Sequence, residues 1–559
     1  MRFQRLAAVL ALAYAASALL QGREPVRARK AMVVAQEPNA TDAGVAVLQA
    51  GGNAVDAAVA VAFALSVTYP VAGNLGGGGF LLARFADGRT TFIDFREAAP
   101  IGASHDMYLD AEGAPTRDSL VGWRAAGVPG TVRGLELAHN KYGRKPWAEL
   151  VQPAVDFAAN GFELSYAQAK SICVDASLLG QFPESKRIFL KRKGCPEPGE
   201  KLIQPELAQT LGRIARDGAK DFYEGETARR LASEVKANGG LITLEDLKSY
   251  RAVERKPLEG KYKGFGIITA PPPSSGGVAM LEMLAMLDGS GYELTGAGSA
   301  ATTHYLAEVM RRAYADRAQF LGDPGFVHVP VNGLLAPSYI ARLKATIDPT
   351  HATPSSVIGH GDAAAYEATE TTHFNVIDAE GNAVSVTYTL NGGYGSGVTV
   401  PGLGFLLNNE MDDFAVKPGS PNLFGLVQGE ADAIAPHKRP LSSMTPTIVT
   451  RDGKLYMVLG APGGGRIING VTEVILNVLD FGMDIQQAVD QPRLHHQWKP
   501  DIISLERGFS PDTITILRQM GHEVDPDGGG VASVEALLVD GEWILGAQNG
   551  RSNGKAAGY

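Results

Sequence analysis

The run Thr371-Thr372-His373-Phe374-Asn375-Val376-Ile377, the turn Asp378-Ala379-Glu380-Gly381-Asn382 and the run from Ala383 to Asn391 read as a β-hairpin. Period-two alternation sets Thr372, Phe374 and Val376 on one face and Thr371, His373 and Asn375 on the other. In the second run Val384, Val386, Tyr388 and Leu390 face one way, and Ser385, Thr387, Thr389 and Asn391 the other. A five-residue turn pairs Ile377 with Ala383 and so brings Thr371 opposite Thr389. Paired Cβ atoms in such a ladder lie ~4.5–5.5 Å apart, close enough for hydroxyl to meet hydroxyl. A threonine at the head of a strand has a chemical use if the bond before it is cut. Its hydroxyl is then a nucleophile and its own freed α-amino group, of pKa ~8 when unperturbed, is a general base. Threonine is also a good strand former, so the hairpin alone does not name a catalyst.

Outward from the hairpin, the chain has 559 residues with 51 Lys+Arg, 60 Asp+Glu and a formal charge of −9. At 45% hydrophobic and 20% charged, it is an ordinary globular composition. Disorder, a coiled coil, a multi-span membrane protein and a nucleic-acid partner are all poor fits. Glycine is the outlier at 67 residues, with no collagen period, and implies tight turns and close backbone approaches. Arg2 and Arg5 precede an apolar run from Leu6 to Leu20, with Ala16-Ser17-Ala18 as a small-x-small cleavage site. This pattern predicts a signal peptide over 1–18 and export, the alternative being an uncleaved anchor. In an oxidising compartment Cys173 and Cys195, the two cysteines of the chain, are expected to pair.

Asn53 is placed to cap an apolar helix running to about Val67, and Gly76 to Gly79 lead into strands near Phe80 and Thr91–Phe95. Residues 151–255 read as mostly helical, Pro271 to Gly277 as a rigid turn before a helix near Val278, and Thr303–Phe320 as another helix. Residues 351–370 are polar and loop-like, and strands are expected to dominate from Thr371 onward. There is no HExxH, paired CxxC, GxxxxGK[ST] or GxSxG, since Tyr394 stands where a nucleophile elbow at Ser396 needs glycine. Gly76–Gly79 and Gly463–Gly465 lack the Lys-Ser/Thr of a phosphate loop. The adjacent His495 and His496 do not face one metal and read as structural.

Several motifs together resemble those of the γ-glutamyltranspeptidases (glutathione hydrolases). They are Glu370-Thr371-Thr372-His373, Thr389-Leu390-Asn391, Leu407 to Phe414, Lys438 to Met444 and Gly460-Ala461-Pro462-Gly463-Gly464. Gly51 to Ala58, Gly76 to Phe80, Phe95-Arg96-Glu97, Gly127 to Thr131 and Pro271 to Gly277 extend the likeness over nearly all of residues 30–559. The resemblance implies the four-layer αββα sandwich of the N-terminal nucleophile hydrolases, a self-cleaving precursor and no metal or organic cofactor. It implies a cut between Glu370 and Thr371, giving a large subunit of 19–370 and a small catalytic subunit of 371–559 that remain together as a heterodimer.

By the same resemblance Thr371 is the nucleophile, oriented by Thr389, and the N–H groups of Gly463 and Gly464 form the oxyanion hole. Arg96, with the hydroxyls of Ser442 and Ser443, would take the α-carboxylate of a γ-glutamyl group. Asn391, Glu410 and Asp413 would take its α-ammonium. Residues 415–437 resemble a lid loop, with Phe424 where a tyrosine is common. The implied substrates are glutathione and related γ-glutamyl compounds, with water, amino acids or dipeptides as acceptors. Two rivals stay open: a glutaryl-cephalosporin type acylase of the same superfamily, and a non-catalytic binding protein on the same scaffold.

Overall fold

The computed structural model describes residues 23–190, 194–358 and 371–559. The leader and Glu370 lie outside the described residues. Two seven-stranded antiparallel sheets form the centre. One runs in the order Val26–Ala28, Trp543–Ala547, Glu535–Asp540, Lys454–Gly460, Thr447–Arg451, Phe265–Thr269, Leu258–Tyr262. The other runs Lys555–Gly558, Met32–Ala35, Thr372–Ile377, Ala383–Thr389, Gly78–Arg84, Thr90–Asp94, Val253–Arg255. Each sheet therefore mixes strands from before and after Thr371. The change of texture there is not a boundary between separately folded domains.

The hairpin forms in the expected register, with Ile377 opposite Ala383 and Thr372 opposite Tyr388. Its apolar face, Phe374, Val376, Val384, Val386, Tyr388 and Leu390, packs with the helices Pro38–Gln49 and Ala54–Thr68 in one core. The opposite face meets the other sheet rather than water, so His373, Asn375, Ser385 and Thr387 are fully buried. They satisfy one another: His373 Nδ1 lies 2.8 Å from Thr387 Oγ1 and Nε2 3.0 Å from Asn375 Oδ1, while Asn375 donates to the Glu535 carbonyl. The helices Gly276–Leu287, Ala300–Phe320 and Arg466–Leu479 cover the far side of the first sheet in a second core. The result is the αββα sandwich.

The helix Ala54–Thr68 shows how the hairpin is held. All its residues are buried, and Asn53 and Asp56 form a capping box at its start. The adjacent Ala54 N–H is bound by Asp378 Oδ2, while Asp378 Oδ1 accepts the Glu380 and Asn382 amides of the hairpin turn. One carboxylate thus shapes the turn and docks it on the helix. The run Gly76–Gly79 serves close approach, since a Cβ on Gly79 would lie 2.3 Å from the Thr387 carbonyl oxygen.

Elsewhere the outlines shift modestly. The helix expected near Thr303 starts at Ala300, because the Ser299 hydroxyl caps the Thr302 amide. Strands do not follow directly on the hairpin: 391–446 carries only two short 3-10 turns before Thr447–Arg451. Cys173 and Cys195 are bonded, with Cα atoms 5.3 Å apart. Among the described residues no helix is long and apolar enough to cross a membrane.

Candidate active site

Thr371 stands immediately before the strand Thr372–Ile377, and its Oγ1 lies 3.3 Å from Thr389 Oγ1. Thr389 Oγ1 also accepts the Asn391 amide at 2.8 Å, which fixes its lone pairs and leaves its proton directed elsewhere. Asn391 turns the chain at φ 78° and donates its side-chain amide to the Asn409 carbonyl. Two cavities meet at Thr371. One, of about 20 Å³, is lined by the charged and hydroxyl groups expected of a head-group pocket. The other, of about 330 Å³, is lined by Tyr69, Gln168, Tyr394 and Ser533 among others.

In the small cavity the turn Glu410–Asp413 places both of its terminal carboxylates on Arg96. Arg96 Nη1 bonds Glu410 and Nη2 bonds Asp413, while its Nε donates to the Pro440 carbonyl at 3.3 Å. The sequence reading assigns Arg96 and the two acids to opposite ends of a ligand, whereas here they are clasped to one another. A third acid, Glu97, has an oxygen 3.8 Å from Arg96 Nη1. Neither Glu97 oxygen nor Glu410 Oε2 accepts from a donor among the described residues; the two carboxyls face each other, close enough to share a proton. Burial raises Glu97 to about 7 against the pull of Arg96, and burial holds Glu410 well above its usual value, so the three acids do not all ionise together. Burial works against the Arg96 charge, but Glu410, Asp413 and Glu97 more than offset it.

Ser442 and Ser443 close the far side. Ser442 Oγ accepts the Met444 amide, and the 442 segment is tied to the Pro271–Gly277 turn through Ser275 N–H to Ser442 O and Ser442 N–H to Pro273 O. Arg317, from the helix Ala300–Phe320, donates to Ser443 Oγ at 3.2 Å and lines the same cavity. Sequence reasoning missed it because a single Arg on a buried helix carries no local signal. Glu97, next to Arg96 in the sequence, likewise carries no local signal of its place in this cluster.

The strand Lys454–Gly460 turns through Ala461 to Gly465 into the helix Arg466–Leu479. The amides of Gly463 and Gly464 donate to no group among the described residues and stand just ahead of a helix N-terminus, where developing negative charge is favoured. Gly464 sits at φ 54°, and a Cβ there would lie 2.3 Å from the Phe424 ring. Phe424 and Leu426, both buried, belong to 415–437 and line the small cavity. Asn422 Nδ2 holds Asp413 Oδ1 at 3.2 Å and Gln497 Nε2 holds the Phe424 carbonyl at 3.2 Å.

His495 and His496 are buried and pushed down by burial to about 3 and about 4, and they hydrogen-bond to Asn469, Gln497 and Asp501. His304, Glu308 and His522 converge, their ligand atoms within 4.8 Å of one another, and none of them lines either cavity at Thr371. Glu308 is committed to Arg311 and Arg312, and the imidazoles bond each other at 2.7 Å, which is a hydrogen-bonded network rather than an open ligand set.

This sandwich, with Thr371 at the head of a central strand, is of the N-terminal nucleophile hydrolase type. The Gamma-glutamyltranspeptidase family model matches residues 40–559. The chain is 47% identical over 540 residues to the glutathione hydrolase proenzyme of Escherichia coli K12, covering 96% of this chain and 93% of that one. The structure resembles the cephalosporin acylase of Bacillus halodurans at TM-score 0.86 and 26% identity, over 96% of this chain and 97% of that one. It also resembles the γ-glutamyltranspeptidase of Helicobacter pylori at TM-score 0.58 and 41% identity, over 61% of this chain and 96% of that one. The chain belongs to the γ-glutamyltranspeptidase family.

Proposed function

We propose that this protein is an exported, self-processing γ-glutamyl hydrolase and transferase acting on glutathione and related γ-glutamyl compounds. The observation that carries the reading is the 3.3 Å contact between the Thr371 and Thr389 hydroxyls at the meeting point of two unlike cavities. In the precursor, Thr371 Oγ attacks the carbonyl carbon of Glu370 and the peptide nitrogen leaves, which yields an ester and a free α-amino group. Water hydrolyses the ester, so that Glu370 departs as a carboxylate and the threonine hydroxyl is regenerated.

In turnover the freed amine takes the hydroxyl proton as Thr371 Oγ attacks the γ-carbonyl of the substrate. The Gly463 and Gly464 amides receive the oxyanion. The leaving amine collects the proton and a γ-glutamyl-threonine ester remains. Water or the amino group of an acceptor amino acid or dipeptide then attacks that ester. A bound γ-glutamyl head group would interleave the clasped charges, its carboxylate going to Arg96, Ser442 and Ser443 and its ammonium to Asn391, Glu410 and Asp413. Three acids around one arginine suit a head group that carries a cation. This favours γ-glutamyl over the glutaryl group of an acylase, which carries none. The presence of Thr371 and its partner weighs against a non-catalytic binding protein.

The leader Arg2 to Ala18 supports export to the periplasm or medium. Cell fractionation tests it, and a soluble cytoplasmic enzyme that keeps Met1 would refute it. Hydrolysis of γ-glutamyl-p-nitroanilide, with and without an acceptor dipeptide, tests the activity. The expected result is release of p-nitroaniline that accelerates with acceptor, and no release from glutaryl-p-nitroanilide. The reverse preference would make the protein an acylase, and inertness toward both would leave only binding.

A further inference from the structure

The helix Ala300–Phe320 delivers two side chains to the site from adjacent turns. Tyr314 donates to the Gly465 carbonyl, at the end of the glycine loop, and Arg317 reaches Ser443. Arg317 is 2% exposed. Its Nε donates to Ser275 Oγ at 3.0 Å and its Nη2 to Ser443 Oγ at 3.2 Å. It forms no ion pair with any carboxylate among the described residues, unlike Arg96, Arg311 and Arg312, which are equally buried and paired with acids. The acids that act on it at longer range are Asp413, held by Arg96 and Asn422, and Asp432, whose Oδ1 accepts the Leu441 amide; neither comes within ion-pair distance of Arg317. Burial accordingly depresses its pKa.

A guanidinium that has left water without an internal counter-ion is costly, and a ligand anion repays that cost. Arg317 lines the small cavity beside Ser443 and Thr371, so its guanidinium faces a space that a substrate carboxylate can enter. The hydroxyls add direction. Ser275 Oγ accepts from Arg317 and donates to the Ser442 carbonyl. Ser443 Oγ likewise accepts from Arg317, and its own proton is left for an acceptor in the cavity.

We propose that Arg317 is a second cation of the carboxylate end of the pocket: it supplies counter-charge for the substrate's α-carboxylate and holds the Ser443 hydroxyl as a donor toward it. The inference rests on the assignment of that end of the cavity to the α-carboxylate. On this account Arg96 is shared between acids and substrate, while Arg317 is matched only when a carboxylate arrives. Arg317 is a positioning residue through Ser443 and a specificity residue through its charge.

The test compares two donors that differ only in the carboxylate, γ-glutamyl-p-nitroanilide and 4-aminobutyryl-p-nitroanilide. The wild type is expected to prefer the first strongly. Arg317→Met is expected to lower kcat/KM for the γ-glutamyl donor about 30-fold, mainly through KM, and to change the 4-aminobutyryl donor by less than about threefold. Ser443→Ala combined with Arg317→Met is expected to lose less than the product of the single losses, because the two act through one hydroxyl. Equal slowing of both donors would overturn the proposal and leave Arg317 a clamp between Ser275 and Ser443. Absence of any preference in the wild type would instead overturn the underlying assignment of the carboxylate end. Chain cleavage on a gel reports folding of each variant. If Arg317→Met stays uncut, Arg317→Lys decides: charge without the fork predicts a loss of about tenfold confined to the γ-glutamyl donor, and a loss equal for both donors refutes the inference.

Discussion

The two cavities that meet at Thr371 differ in size and in chemistry. The smaller, about 20 Å³, is walled by Arg96, Arg317, Glu410 and Asp413. The larger, about 330 Å³, is lined by tyrosines, amides, hydroxyls and apolar side chains such as Leu164 and Ile172, and its charged groups are met within the protein, Glu37 by the Ala40 amide and the Thr68 hydroxyl and Arg551 by Glu506. The contrast teaches where discrimination resides. On one side of the nucleophile Arg96 is shared among acids and Arg317 has no carboxylate partner among the described residues, so the proposed acyl head group is expected to be read closely. On the other side the charged groups are already met within the protein, so the proposed function expects leaving groups and acceptors of several kinds to be accommodated there.

The largest expected effect falls on the residue common to both cavities. Thr371→Ala is expected to remain a single inactive chain, because a methyl group cannot attack a carbonyl. Electrophoresis and p-nitroaniline release check this. Next comes the charged side. Asp413→Asn is expected to raise KM for the γ-glutamyl donor about 30-fold or more while chain cleavage proceeds, since losing one member of a buried charge pair costs about 2–5 kcal/mol. An unchanged KM would remove Asp413 from the head-group pocket.

A smaller effect is expected at Glu97, whose carboxyl is raised to about 7 from its usual 4.5, chiefly by burial. The fold favours its protonated form, so its contribution to stability is complete below pH 4.5 and is lost as pH rises through about 7. Thermal unfolding of Glu97→Gln at pH 5 and pH 9 is expected to show a smaller drop in Tm than the wild type. A parallel drop in both would place the proton elsewhere. The smallest effect is expected in the larger cavity. Tyr69→Phe removes one hydroxyl, which bonds Gln36 at 3.1 Å, and is expected to change transfer to a dipeptide by less than about fivefold with KM for the donor unchanged. A large effect confined to the acceptor would show that this side also reads its ligand closely.

The parts of this arrangement that are local were legible in the chain. The hairpin register follows from alternation and turn length, which alone set Thr371 opposite Thr389. The Asn53 cap and the Gly460-to-Arg466 strand–turn–helix junction were equally readable. What period-two alternation does not reveal is the partner of the polar face. His373 and Asn375 look like solvent-facing residues, yet they are buried because a second sheet, assembled from distant segments, lies against them. Arg317 was illegible for the same reason. Its partners Ser275 and Ser443 stand 42 and 126 residues away along the chain, and only the packing of one helix over two loops brings them together. Glu97 stands beside Arg96 in the sequence, but its approach to Glu410, far along the chain, belongs to the folded state alone.

The central claim is that Thr371 becomes an N-terminal residue by the protein's own chemistry. The 189 residues from Thr371 to Tyr559 weigh about 20 kDa at the chain's average of 58.9 kDa over 559 residues. N-terminal sequencing of the smaller band from purified, active protein is expected to begin Thr-Thr-His-Phe. A first residue other than Thr371, or full activity in a chain that remains uncut, would contradict the account.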